Sequence, residues 1–385
     1  MLADVVIVGA GLAGSAAAWA LSRRGREVVL LEAFEPGHRR GSSHGSARVF
    51  RRAYSDPLFV RLTGVAGRLW RELEDEAGEE LVRITGAVDF GVSPAPEKMY
   101  HLLTAHQVPA ELLTPAQAAE RWPGIAFGAD DAVMFHPEGG VIDADRAMAA
   151  MQRLAAARGA QVRHHTPAVR IEGSDSGGTV HTADGSFEAP AVVVAAGAWL
   201  EPLLGGQVRL PPLQVTQVDA FQFAPAGGAP AEGAPAGGAP AGAGVGGVFI
   251  RHEDPPVYGL LAGRDSGVPD AIKVGVHGQG RVTTGDDRDG VVSQVIRERV
   301  RQFVMNHVPG LDPAPVTELT CLYTSTPSED FILDRHGPFV ICSPCSGHGA
   351  KFAPLSGEIA ADLADGTAPP ERRFTLAAHL GEAPS

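Results

Sequence analysis

An α/β fold is predicted, with a parallel nucleotide-binding sheet joined to a second, mixed-sheet domain. Three observations predict it. An apolar run leads into Gly9-Ala-Gly11-Leu-Ala-Gly14, a second apolar run ends on Glu32, and a third, 191–196, again enters a glycine at Gly197. Strands covered on both faces read as continuous apolar runs rather than alternating ones, which marks these as parallel. At 385 residues and 44% hydrophobic, the chain exceeds what one core usually holds, so two intimately joined domains are expected.

The elements follow in chain order. Residues 4–8 form the first strand, an alanine-rich helix runs to about residue 24, and 27–31 form the second strand. Between the first strand and the helix, Gly9 permits the tight turn, Gly11 lets backbone approach a pyrophosphate, and Gly14 allows close helix–strand packing. The helix N-terminus offers unpaired N–H groups and a positive dipole end to phosphates. Glu32 is placed to accept hydrogen bonds from ribose hydroxyls, and its charge disfavours a 2′-phosphate. This motif alone leaves FAD and NAD open. The next segment decides: Gly41-Ser42-Ser43-His44-Gly45, then Arg48, Arg51 and Tyr54, is a glycine–serine loop studded with cations. A nicotinamide dehydrogenase would continue into another βαβ crossover, whereas an extended FAD needs such a loop to reach its flavin. Arg52 alternates away from Arg51 in an extended segment.

Farther along, 145–158 reads as an amphipathic helix. Residues 224–247 repeat Ala, Pro and Gly almost without charge or large side chains, so they are expected to be a mobile loop. Flanked by the strand-like runs 218–223 and 247–251, the loop reads as an overgrown hairpin connection. Ala271-Ile-Lys273-Val-Gly275-Val-His277 alternates, placing Lys273, Gly275 and His277 on one strand face; a lysine guarding an edge strand is the plainer reading. Near the C-terminus, Cys321, Tyr323, His348 and Lys351 gather thiol, phenol, imidazole and ammonium in one short stretch.

Composition excludes several functions. A net charge of −13 argues against a nucleic-acid partner, since phosphate binding needs a basic face. No run of 18 apolar residues exists, so no membrane span is expected. Three cysteines without an apolar leader suggest a reducing cytoplasm, and the C-terminal Ala-Pro-Ser is not a peroxisomal address. Cys342-Ser-Pro-Cys345 lacks the second pair a metal site requires and the helix N-terminus a redox site requires, so it reads as structural. His44, His277 and His348 have no carboxylate or thiol spaced with them, and no metal is expected.

Three motifs in order, Gly41-Ser-Ser-His-Gly45 with Arg48, Arg51 and Tyr54, then Cys321-Leu-Tyr-Thr, then Ser346-Gly-His-Gly-Ala-Lys351-Phe352, resemble the monomeric sarcosine oxidase family, which includes N-methyltryptophan and pipecolate oxidases. The likeness spans nearly the whole chain apart from 224–247. It implies a glutathione-reductase-type FAD-binding Rossmann domain, assembled discontinuously from 1–85, 141–210 and 311–385. A mixed-sheet substrate domain from 86–140 and 211–310 completes it, with the flavin between them in a monomer.

The resemblance implies FAD contacted by Gly9, Gly11, Gly14, Glu32, Ser42, Ser43, Gly347 and Gly349, and joined through its 8α carbon to Cys321. The glycines around His348 are expected to let backbone approach the flavin. It implies a carboxylate clamp of Arg51 and Lys351, with Tyr54 and Tyr258 also meeting the substrate. Catalytic positions fall on Lys273, credited with activating oxygen, and on Arg48, His44, His277, Tyr323 and His348. The implied activity is oxygen-dependent oxidation of a secondary or cyclic α-amino acid to an imine, releasing hydrogen peroxide. Ser46-Ala47, Leu322, Ala350 and Gly278-Gln279 depart from the family's commonest form and leave the amine open. The alternatives are a cyclic or primary amine oxidase of secondary metabolism, a flavin dehydrogenase using another acceptor, and a flavin-binding subunit without turnover.

Overall fold

The computed structural model describes residues 2–227 and 244–382. Its first sheet has the order Ile332–His336, Phe339–Ser343, Ala191–Val194, Val5–Val8, Val28–Leu31, Gln161–Arg163. Val5–Val8 is central and pairs in parallel on both sides, with Val5 opposite Ala191 and Val28. That position explains its four consecutive buried valine and isoleucine side chains. One face is covered by the helices Leu12–Arg23 and Ala353–Ala364, which approach closely because the first is alanine-rich and the second carries Gly357. A Cβ on Gly357 would lie 2.4 Å from the Ala16 backbone. The other face is covered by a three-stranded antiparallel sheet, Arg170–Ser174, Gly177–Thr182 and Gly185–Ala189, through Ile171, Val180 and Phe187.

The larger sheet runs Leu311–Ser325, Gln214–Pro225, Ile272–Val282, Val257–Leu261, Val248–Arg251, Ala87–Gly91, Ala132–His136, Glu111–Leu113. It is mixed: Val248–Arg251 pairs in parallel with Ala87–Gly91 and the remaining neighbours are antiparallel. Helix Gln294–His307 buries Val300, Phe303 and Val304 against Phe249 and the other apolar residues of this core. A short sheet of Arg48–Phe50, Gly140–Ile142 and Val82–Ile84 bridges the two units.

Two expectations change. The runs around 218–223 and 247–251 are not a hairpin, because the strands Ile272–Val282 and Val257–Leu261 lie between them. Residues 228–243, most of the expected mobile loop, lie outside the described residues. Also, Leu311–Ser325 pairs along its length with Gln214–Pro225, so the segment beginning at 311 gives its first strand to the larger sheet. Tertiary pairing decided this, since a strand at a domain crossover has no local mark of which sheet takes it. The helix expected at 145–158 spans Ala144–Ala157, capped by Asp143, whose side chain accepts from the Arg146 amide. Among the described residues no helix is long and apolar enough to cross a membrane.

Candidate active site

The glycine turn at the end of Val5–Val8 is built as its residue types require. Gly9 has φ +97°, and a Cβ there would meet the Ala195 carbonyl oxygen at 2.6 Å. Gly14 lies behind the turn, where a Cβ would overlap the Gly9 carbonyl oxygen at 1.8 Å. It alone of the expected site residues does not line the cavity described below. Over Gly11 sits Ser43, whose Oγ accepts from the Leu12 amide at 3.0 Å. The space kept open at Gly11 is thus partly taken by this serine. Glu32 is buried, with Oε2 accepting from the Ala10 amide at 2.8 Å and Oε1 from the Phe34 amide at 3.1 Å. Burial pushes its pKa up, but the His38 imidazole and these amides outweigh burial and hold it below the usual carboxylate range. Each oxygen keeps acceptor capacity for a ligand hydroxyl.

From this turn a cavity of about 1290 Å³ extends between the two sheets to Lys351 and Tyr54. Loop 41–48 forms one wall. Arg48 Nη1 donates to the Ala47 carbonyl, and Nη2 donates to the carbonyls of His44 and of Ser42, the latter at 3.1 Å. Its Nη2 also lies 3.9 Å from Cys321 Sγ, which opens onto the cavity from the Leu311–Ser325 strand. Arg288 ties this wall to that strand, donating to the Gly41 carbonyl at 3.4 Å and to the Thr320 carbonyl. His44 is buried with Nε2 unpartnered among the described residues; burial and the neighbouring Arg48 push its pKa down to about 2, so it is neutral.

Lys273 projects into the cavity from the interior of the larger sheet, opposite Gln222 on one side and Leu260 on the other, so the edge-strand reading is overturned. It is 8% exposed, and Nζ donates to the Ala47 carbonyl at 3.4 Å. Burial and Arg48 push its pKa down to about 7, against the opposing pull of Cys321, Asp265 and Asp145. Asp265 is itself held by Ser46, whose Oγ donates to Oδ1 at 2.6 Å.

Beyond Lys273 the wall is aromatic. Tyr258 lies over Gly275, where a Cβ would come within 2.5 Å of its hydroxyl. His277 and Tyr323 have ring centroids 5.8 Å apart. Gly347 (φ +78°) leaves room for the Tyr323 ring, 2.4 Å from a notional Cβ, and Gly349 for the Pro344 carbonyl oxygen, 1.4 Å from one. Both glycines therefore serve protein packing as well as lining the cavity, a constraint that close flavin approach was expected to impose by itself. His348 Nδ1 and the Tyr54 hydroxyl are 3.1 Å apart, and His348 Nε2 is 3.0 Å from the Glu329 carbonyl oxygen.

Arg51 and Lys351 complete this end. Arg51 Cζ and Lys351 Nζ lie 5.4 Å and 5.5 Å from the Tyr54 ring centroid. Lys351 is buried and donates to the His348 carbonyl at 2.9 Å. Its burial, and then the nearby Arg51 cation, hold its pKa well below that of an ordinary lysine. Arg51 is not free: Nη1 donates to Asp89 Oδ1 at 2.8 Å. Arg52 diverges to Glu138, as alternation requires. Cys342 and Cys345 are free thiols, and burial pushes Cys342 up to about 12, which leaves it inert as a nucleophile.

Sequence reasoning missed Asp89, His252, Asp265 and Arg288. Asp89 carried a signal, a lone acid in the apolar run Ala87–Gly91; the others sit on or beside loops and become neighbours of the site only through tertiary contacts.

A glycine-turn sheet, parallel except for its antiparallel edge strand Ile332–His336, faces a mixed sheet that supplies buried cations and aromatics across one long cleft, and together they define a two-domain, dinucleotide-dependent oxidoreductase. The chain belongs to the family of FAD dependent oxidoreductases designated DAO, which matches residues 4–363. It is 32% identical to monomeric sarcosine oxidase of Streptomyces avermitilis, covering 94% of this chain and 93% of that one. It is 30% identical to N-methyl-L-tryptophan oxidase of Citrobacter koseri, covering 95% of each. Among solved structures it is similar to NikD, an unusual amino acid oxidase essential for nikkomycin biosynthesis, with TM-score 0.84, 26% identity and 97% of both chains covered.

The donor set fits FAD: a glycine-rich helix start whose Gly11, Leu12 and Ala13 line the cavity, a buried charged Glu32 at the end of the second strand, and a His44 Nε2 unpartnered among the described residues all border one continuous space.

Proposed function

We propose that this protein is a flavin-dependent oxidase of secondary or cyclic α-amino acids, yielding an imine and hydrogen peroxide. The observation that carries the reading is the pairing of two cavity-lining cations, Arg51 and Lys351, on one tyrosine ring, with the Lys351 ammonium destabilised by its surroundings. A substrate carboxylate between them would supply the missing negative charge. Arginine brings a planar fork and lysine a point charge, which together fix orientation as well as affinity. Neutral His277 and His348, with Tyr258 and Tyr323, wall the adjacent space without adding charge, which suits an uncharged amine. Holding the C–H bond beside nitrogen in one orientation is where much of the rate gain would arise. Bound FAD would supply the two-electron acceptor; the chain's own part is to bind, orient and exclude water. Lys273 would present a fixed cation where oxygen is reduced.

We further infer that the flavin is joined covalently to Cys321, supported by the thiol's opening on the cavity beside Arg48. A monomer in the reducing cytoplasm is the accompanying reading, in keeping with three free thiols.

The reading is tested by mixing purified protein anaerobically with sarcosine, N-methyltryptophan, pipecolate, proline and unsaturated cyclic imino acids. Bleaching of the flavin by at least one, followed by peroxide formation on admitting air, is expected. Bleaching that persists in air but discharges to an artificial acceptor would instead identify a dehydrogenase. For the linkage, acid-precipitated wild-type protein is expected to stay yellow, and Cys321→Ser to release its colour into the supernatant. Colour in the wild-type supernatant would remove the covalent claim alone.

A further inference from the structure

Behind Arg51 lies a charged cluster, its carboxylate outside the cavity, that the proposed reaction does not employ. Asp89 stands in the strand Ala87–Gly91 between Val88 and Phe90 and is fully buried. Its Oδ1 accepts from Arg51 Nη1 and pairs with His252 Nε2, each at 2.8 Å. An acid in such a core is costly unless paired, so its position opposite Arg51 needs a reason. The backbone makes the arrangement rigid. Val248–Arg251 runs parallel to Ala87–Gly91 with Ile250 opposite Asp89, and the His252 amide donates to the Phe90 carbonyl at 2.7 Å. Gly91 has φ +144°, and a Cβ there would meet the His252 carbonyl oxygen at 2.7 Å, so the two segments are held at a separation no side chain could enter. Asp89 does not line the cavity, whereas Arg51 and His252 do. The carboxylate therefore anchors one nitrogen of the guanidinium from behind. Nη2 has no acceptor among the described residues, and a ligand can take it.

We propose that Asp89 and His252 are positioning residues that hold the Arg51 fork in register for a substrate carboxylate, making the site selective for amino acids over amines that lack the acid group. This rests on the reading of Arg51 as part of a carboxylate clamp. Arginine has a long, rotamer-rich side chain, and a fork anchored before substrate arrives loses less freedom when it binds. Loss of such a supporting residue is expected to fall chiefly on affinity for the group it aims at, because a carboxylate once bound still meets both cations and keeps its orientation.

The test uses flavin-loaded enzyme, the amino acid that bleaches it, the same amine without its carboxylate, and acetate titrated by its perturbation of flavin absorbance. Asp89→Ala is expected to raise both the amino acid KM and the acetate Kd about tenfold, with kcat within about threefold and the decarboxylated amine unaffected. Asp89→Asn, which can still accept from Arg51, is expected to recover most of that loss, and His252→Ala to show a smaller rise. If Asp89→Ala does not fold, Asp89→Glu, which moves the anchoring oxygen by a methylene while keeping charge, is expected to show the acetate loss. Unchanged acetate affinity in flavin-replete Asp89→Ala or Asp89→Glu, or equal losses for both amines, would overturn the proposal. Arg51→Ala separates the two layers. If it weakens acetate while Asp89→Ala does not, only the positioning role falls; if it too leaves acetate unchanged, the clamp reading falls with it.

Discussion

Replacing Lys273 by methionine is expected to slow the reaction of reduced enzyme with oxygen by roughly a hundred- to a thousandfold, while reduction by substrate changes far less. The expectation follows from where the ammonium sits. It projects from an interior strand of the larger sheet, 8% exposed, with the Ala47 carbonyl oxygen as its acceptor. A cation so placed needs no reorganisation as negative charge develops on oxygen, and low local dielectric magnifies its effect. Methionine keeps the length and removes only the charge. The pH dependence gives a second signature. With the Lys273 pKa depressed to about 7, the ammonium is present at lower pH and is lost as pH rises through that value. Negative charge on the bound, reduced cofactor would move this midpoint upward. The oxygen step should therefore slow above neutrality in wild type and be flat across the same range in Lys273→Met. Stopped-flow measurement of the two half-reactions checks both, and equal losses in each would defeat the assignment.

Truncating Arg51 to alanine is expected to raise KM for carboxylate substrates roughly hundredfold, in line with the loss of one partner from a buried charge pair. Flavin content should stay normal, because Arg51 lies at the Tyr54 end of the cavity, away from the glycine turn. Arg51→Lys should fall between, about tenfold, since it keeps the charge but not the planar fork. Alanine also leaves Asp89 buried with His252 as its remaining hydrogen-bond partner among the described residues, so a lowered Tm should accompany the kinetic change. Steady-state kinetics with an amino acid and its decarboxylated counterpart decide the point; an unchanged KM for the amino acid would exclude Arg51 from the clamp.

Much of this architecture is legible in the chain because its causes are local. Gly9 and Gly14 answer to turn geometry and to a helix starting against a strand, and a continuous run of buried aliphatics identifies a central parallel strand without reference to any partner. The alternation around Lys273 likewise puts Lys273, Gly275 and His277 on one face without reference to any neighbouring strand.

Other features depended on contacts between distant segments. Nothing near residue 311 says which sheet its strand joins, and the flanks of 224–247 resemble a hairpin until two strands from later in the chain insert between them. Gly347 looks suited to ligand approach, yet the Tyr323 ring already requires it. Arg51 reads as a free cation beside its glycine–serine loop, yet it is tethered to Asp89 in the larger sheet. Residue type and spacing decide what a side chain can do; which partner holds it, and how much charge remains for a ligand, is decided by packing that brings far-apart strands together.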